Sequence, residues 1–198
     1  QQSYDQQRNE RKEIVFNHRL YNHYGPKEFF DFMDWFYANV RKDFQVIITD
    51  PTNGRSTERN LLDPTVNSTR SQILAKPYVR YAHSPSRKEY YKTIANSTIS
   101  IGPFKPSALW SMSVVDSMAC GIPVVCPNYA CFPEILGASS DLLFSKPKEL
   151  AHLINCLFDD TEFYRESSQY CLLRAQNFSV GNTARKFIDI FEQVKNGN

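Results

Sequence analysis

Residues 97–137, STISIGPFKPSALWSMSVVDSMACGIPVVCPNYACFPEILG, decide the fold. A short apolar strand (97–101) runs into a polar loop (102–108). A helix follows (109–120), then a second apolar strand (122–126) and a loop that reaches Pro133-Glu134. Gly121 is placed to end the helix, because a left-handed residue there satisfies its last carbonyls. A strand that empties into a polar loop and then a helix is the repeating unit of an open α/β sheet. Such sheets bind ligands outside the carboxyl ends of their strands.

Working outward, the same rhythm recurs. Glu13 to Asn17 reads as a buried strand, followed by a polar loop from His18 to Gly25. Pro26 is suited to the first turn of a helix, where its missing N–H costs nothing. From there Phe29, Phe30, Met33, Phe36, Tyr37 and Val40 recur at spacings of three and four, one face of an amphipathic helix. Phe44 to Thr49 is a second strand. Residues 51–72 carry dense turn chemistry and read as a long surface loop with one helical turn. Residues 77–81 read as a strand. Ser86 caps a helix over 88–95. Beyond the opening stretch lie a short strand at 142–144, helices at 147–158 and 161–175, a break at Phe178 and a last amphipathic helix through Val194. Strands alternating with helices predict a Rossmann-like α/β domain, a parallel sheet with helices on both faces. It spans residues 13–198, with 1–12 a disordered lead-in or linker stub.

Composition narrows the partners. With 198 residues the chain can bury a substantial single core. A net charge of +2 gives no overall basic field to attract nucleic acid. Arg55, Arg59, Arg70, Arg80, Arg87 and Lys88 are the basic residues that could form a local patch. No apolar run is long enough for a membrane-spanning helix. Five cysteines, an odd number with no C-x-x-C spacing, read as reduced thiols in a cytosolic, cytoplasmic protein.

For chemistry, the helix beginning near Ala108-Leu109-Trp110-Ser111 matters most. Its free N–H groups and positive dipole end suit a phosphate or diphosphate. Asp116, two turns in, is a candidate acceptor for a ribose diol, or a solvated surface charge.

These residues carry a resemblance. DSMACGIPVV (116–125) with PEILG (133–137) resembles the signature of the C-terminal, nucleotide-sugar-binding domain of GT-B-fold glycosyltransferases, family 4 in particular. Asn17-His18-Arg19, and Pro127-Asn128 with Phe132-Pro133-Glu134, resemble the tRNA-queuosine mannosyltransferase group. The resemblance implies one half of a GT-B fold, whose N-terminal acceptor domain is absent from this chain and lies before residue 1. It implies transfer of a hexose from a UDP- or GDP-sugar to an acceptor hydroxyl, usually with retention, with no metal held by protein ligands and no tightly bound cofactor. The acceptor stays open, a saccharide first and a nucleic acid as the alternative.

The resemblance also assigns residues. Arg19 matches the arginine that binds the donor phosphate. The family lysine five positions on falls on Tyr24, and Lys27 is either its substitute or a solvated charge. Asp116 matches the ribose carboxylate. Ala108 stands where the family has a glutamate near the donor sugar, a departure that puts catalysis in question. Ser107, Leu109, Trp110, Ser111 and Met112 would cradle the diphosphate, with Asn128 and Glu134 bordering the donor pocket. His18 and His83 either act on phosphate charge and sugar hydroxyls or fill loops. Two rival readings remain, a nucleotide-sugar-binding module that has lost catalysis and a sugar-nucleotide epimerase of GT-B shape.

Overall fold

A computed structural model describes residues 11–50, 58–84, 86–105 and 110–197, without the side chains of 50, 59 and 60. Six parallel strands form its centre: β1 (Glu13–Phe16), β2 (Gln45–Asp50), β3 (Val79–His83), β4 (Ile99–Ile101), β5 (Val124–Pro127) and β6 (Leu143–Phe144). They lie in the order β3-β2-β1-β4-β5-β6. The chain therefore builds outward from β1 in one direction and then returns to β1 to build in the other. The crevice between β1 and β4 is the topological switch point, where open α/β sheets admit ligands.

The sheet is parallel because each connection carries a helix across one of its faces. Ile14, Phe16, Val46, Ile48, Ile99 and Ile101 belong to the larger core, shared with Phe29, Phe30, Met33 and Phe36 of α1 (Pro26–Asn39) and Leu150, Ile154 and Leu157 of α6 (Pro147–Asp159). Val15 and Ile47, one residue out of phase, pack on the opposite face against Ile94 of α3 (Arg87–Asn96) and Ile122. Alternate residues of one strand thus find separate cores, and both faces are dry. Each fully buried Phe, Ile or Leu contributes about 1.5–3 kcal/mol relative to exposure, so the aromatic face of α1 anchors that side of the sheet.

Local caps set the helix ends, Ser86 as expected and Asp160 and Ser179 in addition. Ser86 Oγ accepts from the Glu89 N–H (3.2 Å) at the start of α3. Asp160 Oδ1 accepts from the Glu162 and Phe163 N–H groups, both at 3.0 Å, at the start of α7 (Thr161–Ala175). Ser179 caps α8 (Val180–Lys195). Two helices depart from the sequence reading. Residues expected to form a long loop instead hold α2 (Val66–Leu74), which buries only Ile73. The loop after β5 contains α5 (Phe132–Leu136), started by Pro133 and docked through Phe132, Ile135 and Leu136. The helix expected over 109–120 is α4, Met112–Ala119. Among the described residues the five cysteines form no disulfide. Burial raises the thiol pKa of Cys126, and that of Cys171 to about 12.

The two ends of the sheet differ in their charge. At the amino edge Arg41, Lys12 and Arg80 are paired. Arg41 holds Asp159 through two N–H groups (2.8 and 3.1 Å) and Asp43 through two more (2.7 and 2.9 Å). Lys12 joins Asp43 at 2.6 Å, and Arg80 joins Glu13 at 2.9 Å. At the carboxyl edge Arg19 and Arg87 have no acidic partner within ion-pair distance among the described residues. Two cations without an ion pair beside the topological switch point are the first structural pointer to a site.

Candidate functional site

A cleft of about 340 Å³ opens at this carboxyl edge. Asn17, His18, Arg19 and Tyr24 line it from the loop after β1, and Thr49 from the end of β2. Ser84, Ser86, Arg87 and Tyr90 line it from the β3–α3 segment, and Ser113 from the first turn of α4.

Asn17 is the residue that joins the two halves of the sheet here. It is buried immediately after β1, and the two hydrogens of its Nδ2 are shared among three acceptors: Ser117 Oγ (3.0 Å), the Ser113 carbonyl (3.0 Å) and Tyr90 Oη (3.2 Å). Its Oδ1 accepts from Ser100 Oγ of β4 at 3.3 Å. One amide side chain therefore ties β1 to β4, α4 and α3.

His18 lies beside it, 2% exposed. Its Nε2 is 3.0 Å from the Ile101 carbonyl oxygen, which can only accept, so Nε2 carries the hydrogen. Nδ1 is then the acceptor for the Ser111 hydroxyl at 3.4 Å. Burial pushes the imidazole down to about 4, against a smaller opposing effect of the Ile101 hydrogen bond. His18 is thus a neutral ring with both nitrogens engaged, and it presents no positive charge to a phosphate at neutral pH. Ser111 gives its hydroxyl to His18 and makes no side-chain cap at the start of α4, where its carbonyl accepts from the Val114 N–H at 3.1 Å.

Gly25 sets the shape of the cleft's rim. Its φ of +70° is in the left-handed region. A Cβ there would stand 3.0 Å from Phe104 Cβ and 3.2 Å from the Lys105 nitrogen. The bare backbone lets the loops after β1 and β4 touch, and the Phe104 N–H donates to the Tyr24 carbonyl at 3.1 Å.

The remaining expected site residues fall in different places. Arg19 is exposed at the lip of the cleft. Lys27 is turned along α1 toward Asp31, 2.5 Å away, outside the cleft lining. Ser107 and Leu109, with Ala108, lie outside the described residues. Trp110 is half-exposed and packs edge-to-face on Phe178 at 5.5 Å, and Met112 is exposed beside it. Asp116 faces α3: its carboxylate accepts from Tyr91 Oη at 3.0 Å and Tyr90 Oη at 3.2 Å. Asn128 is exposed, its N–H donating to the Phe144 carbonyl at 2.7 Å. Glu134 is exposed on α5, its main-chain carbonyl accepting from Arg174. His83 is exposed at the end of β3.

The structure adds Tyr90, which the sequence reading passed over, and places in the cleft Arg87, which that reading named only as part of a basic patch. Tyr90 lines the cleft, and burial with the nearby Asp116 charge raises its phenol pKa. Arg87 stands at the first position of α3, its guanidinium 5.5 Å over the Tyr91 ring. Nε and Nη2 of Arg87 donate to Tyr91 Oη at 3.4 and 3.1 Å. The sequence held a signal for both, since Ser86-Arg87 opens a helix directly after a strand, where the site of such a sheet must be.

The profile of the family described as "Glycosyl transferases group 1" matches residues 2–172. The chain belongs to that family. A glycosyltransferase from Rickettsia africae ESF-5 superposes with a TM-score of 0.69 at 15% identity, over 95% of this chain and 49% of that one. Anabaena HepE, solved in complex with UDP and glucose, gives 0.70 at 15% identity, over 92% and 48%. The α,α-trehalose-6-phosphate synthase of Burkholderia multivorans gives 0.71 at 13% identity, over 98% and 44%. At such identities these likenesses establish the fold, that of one GT-B domain. In sequence, the O-antigen chain mannosyltransferase B of Escherichia coli is 30% identical over 88 residues, 42% of this chain and 22% of that protein. This group 1 chain spans about half the length of the solved relatives. No helix among its described residues is long and apolar enough to cross a membrane.

Proposed function

We propose that this domain binds the nucleoside diphosphate of a UDP- or GDP-sugar and serves the transfer of its hexose to an acceptor hydroxyl. The observation that carries this is the cleft at the β1/β4 switch point, with Arg19 at its lip, unpaired among the described residues, and beside it the first turn of α4, where Ser111 gives no side-chain cap. Anabaena HepE, which shares the fold, was solved with UDP and glucose, which supports a nucleotide-sugar donor here.

In the reaction the bond between the sugar C1 and the diphosphate oxygen breaks, and the oxygen keeps the electron pair. The acceptor oxygen bonds to C1 and gives up its proton. Negative charge grows on the leaving diphosphate, so a fixed cation and fixed N–H groups favour the transition state. Arg19 and the first N–H groups of α4 take that part. Asn17 and His18 position it: they lock the end of β1 against β4 and α4, so Arg19 leaves the sheet at a fixed point. Asp116, held by Tyr90 and Tyr91, lies one step behind Ser113 and Tyr90 and accepts from the ribose.

The acceptor surface belongs to a companion domain. The relatives are about twice as long as this chain, and α8 shows an apolar face in which Phe187, Ile188, Ile190, Phe191 and Val194 are all more than half exposed. That face is suited to rest against the second domain.

Calorimetric titration with UDP and GDP tests the reading. Arg19→Ala is expected to weaken both nucleotides roughly tenfold or more, the scale of one charge-assisted hydrogen bond. Unchanged affinity would remove Arg19 from the diphosphate site.

A further inference from the structure

A second cavity, of about 320 Å³, lies where α7 passes the turn that leads into β6. α7 supplies Phe163, Glu166, Ser167 and Tyr170, whose spacings of three and four put them on one helix face. The turn supplies Ser140 and Asp141. These two precede β6, so they stand at its amino end, and every pairing in the sheet is parallel. The pocket and the donor cleft are therefore at opposite ends of the strands, and they share no lining residue.

Its walls are held by the protein alone. Tyr170 Oη donates to the Leu136 carbonyl at the end of α5. Ser140 closes the turn: its N–H donates to the Gly137 carbonyl at 3.0 Å, and its Oγ accepts from the Leu142 N–H at 3.3 Å. A ligand meeting walls already fixed spends little of its binding energy on ordering them. Ser167 is the exception to this satisfied frame. It is only 5% exposed, it lines the pocket, and its hydroxyl makes no hydrogen bond among the described residues. A buried hydroxyl without a partner is costly, and a ligand that supplies one recovers that cost. Asp141 and Glu166 are exposed carboxylates with no cation at ion-pair distance among the described residues.

We propose that this pocket binds one hexose unit of a saccharide. Ionised carboxylates only accept hydrogen bonds, so Asp141 and Glu166 call for a ligand rich in donors. The Ser167 hydroxyl can donate or accept, and it suits a ligand whose groups do both. Neighbouring sugar hydroxyls meet these demands together, and the C–H face of the ring matches the half-buried Phe163. A few fixed polar groups beside one apolar surface are the usual make-up of a small-ligand pocket. Two carboxylates with no cation among the described lining residues turn away phosphate, so the nucleotide part of a donor does not fit here. The sugar is then a unit of the acceptor or product chain, held away from the reacting end. That last assignment rests on the donor-site reading above, whereas the chemistry of the pocket does not.

The test is a titration of the whole, nitrogen-15-labelled chain with methyl α-D-mannopyranoside and with methyl α-D-glucopyranoside, followed by amide NMR shifts. Saturable shifts are expected at residues 139–142 and 163–170 with at least one of the two. Glu166→Gln is expected to weaken that glycoside roughly tenfold, the scale of a hydrogen bond to a charged group, and Ser167→Ala about fivefold. Circular dichroism melts accompany both variants. Glu166 is exposed and the Ser167 hydroxyl has no protein partner to lose, so neither variant is expected to melt below the wild type. Three results would overturn the proposal: no saturable shift in these segments with either glycoside, shifts that both variants keep at wild-type affinity, or the same amides responding to ethylammonium chloride and to neither sugar. UDP and GDP titrations run in parallel and are expected to give wild-type affinities in both variants. A wild type that binds a glycoside here but neither nucleotide would remove the donor site and leave this pocket standing.

Discussion

Because His18 is buried as a neutral ring, folding stability must depend on pH in a window where few other groups titrate. The folded imidazole titrates at about 4, against an ordinary value of 6.5. Between these values the unfolded chain binds the proton and the folded chain does not. Stability is therefore fully present above the unfolded pKa and is lost as the pH falls toward the folded one. The two pKa values give a loss of about 2 kcal/mol between pH 7 and pH 5, and of roughly 3 kcal/mol once the folded ring also protonates. For a urea m-value of about 1–3 kcal/mol/M, the midpoint drops by roughly 1 M from pH 7 to pH 5. Asp43 and Asp159 are held below the usual carboxylate range by Arg41 and Lys12, and they add their loss only as pH falls through and below that range. His23, His83 and His152 are exposed. Urea unfolding at pH 7, 6 and 5 measures the slope, and His18→Gln isolates its source. The glutamine amide still donates to the Ile101 carbonyl but binds no proton, so its midpoint should vary far less over this range. A His18→Gln profile as steep as the wild type's would show that the ring is not the group responsible.

Two further substitutions probe the same corner. Asn17→Ala leaves the Ser117 and Ser100 hydroxyls and the Ser113 carbonyl without their shared partner, and at about 1–3 kcal/mol for a buried unsatisfied group it should destabilise by roughly 2–4 kcal/mol in chemical denaturation. Gly25→Ala forces an L-residue into a φ of +70° and a Cβ to within 3.0 Å of Phe104. A loss of about 2 kcal/mol in thermal or urea unfolding is expected, with weaker nucleotide binding as the rim is pushed apart.

The strands were legible because burial on both faces leaves near-continuous apolar runs such as Ile14-Val15-Phe16 and Val124-Val125-Cys126. α1 was legible because its buried stripe repeats at helical spacing. α2 was not, since it buries a single residue and its sequence, VNSTRSQIL, is otherwise the chemistry of turns. α5 escaped notice because one turn of helix gives no periodicity. In the site, Arg19 could be placed at the end of β1 from pattern alone. The state of His18 could not, since it depends on Ile101 and Ser111, 83 and 93 residues away. The engagement of Asp116 by two tyrosines was equally hidden, because spacing along one helix says nothing about which neighbour faces it.

The placement of β4 beside β1 has a consequence for how the chain acquires its shape. Asn17 and Ser117 meet across 100 residues of sequence, and β1 is bracketed on one side by a strand that comes 85 residues later. Until that later strand arrives, one edge of β1 stays open, with unpaired backbone groups and apolar neighbours. Closing so long a loop is slow, and the waiting edge is a template for wrong pairing. The cleft therefore assembles among the last features of folding, and a nucleotide that occupies it binds the finished sheet alone. Such a ligand would stabilise the whole domain by mass action, in proportion to the logarithm of its concentration.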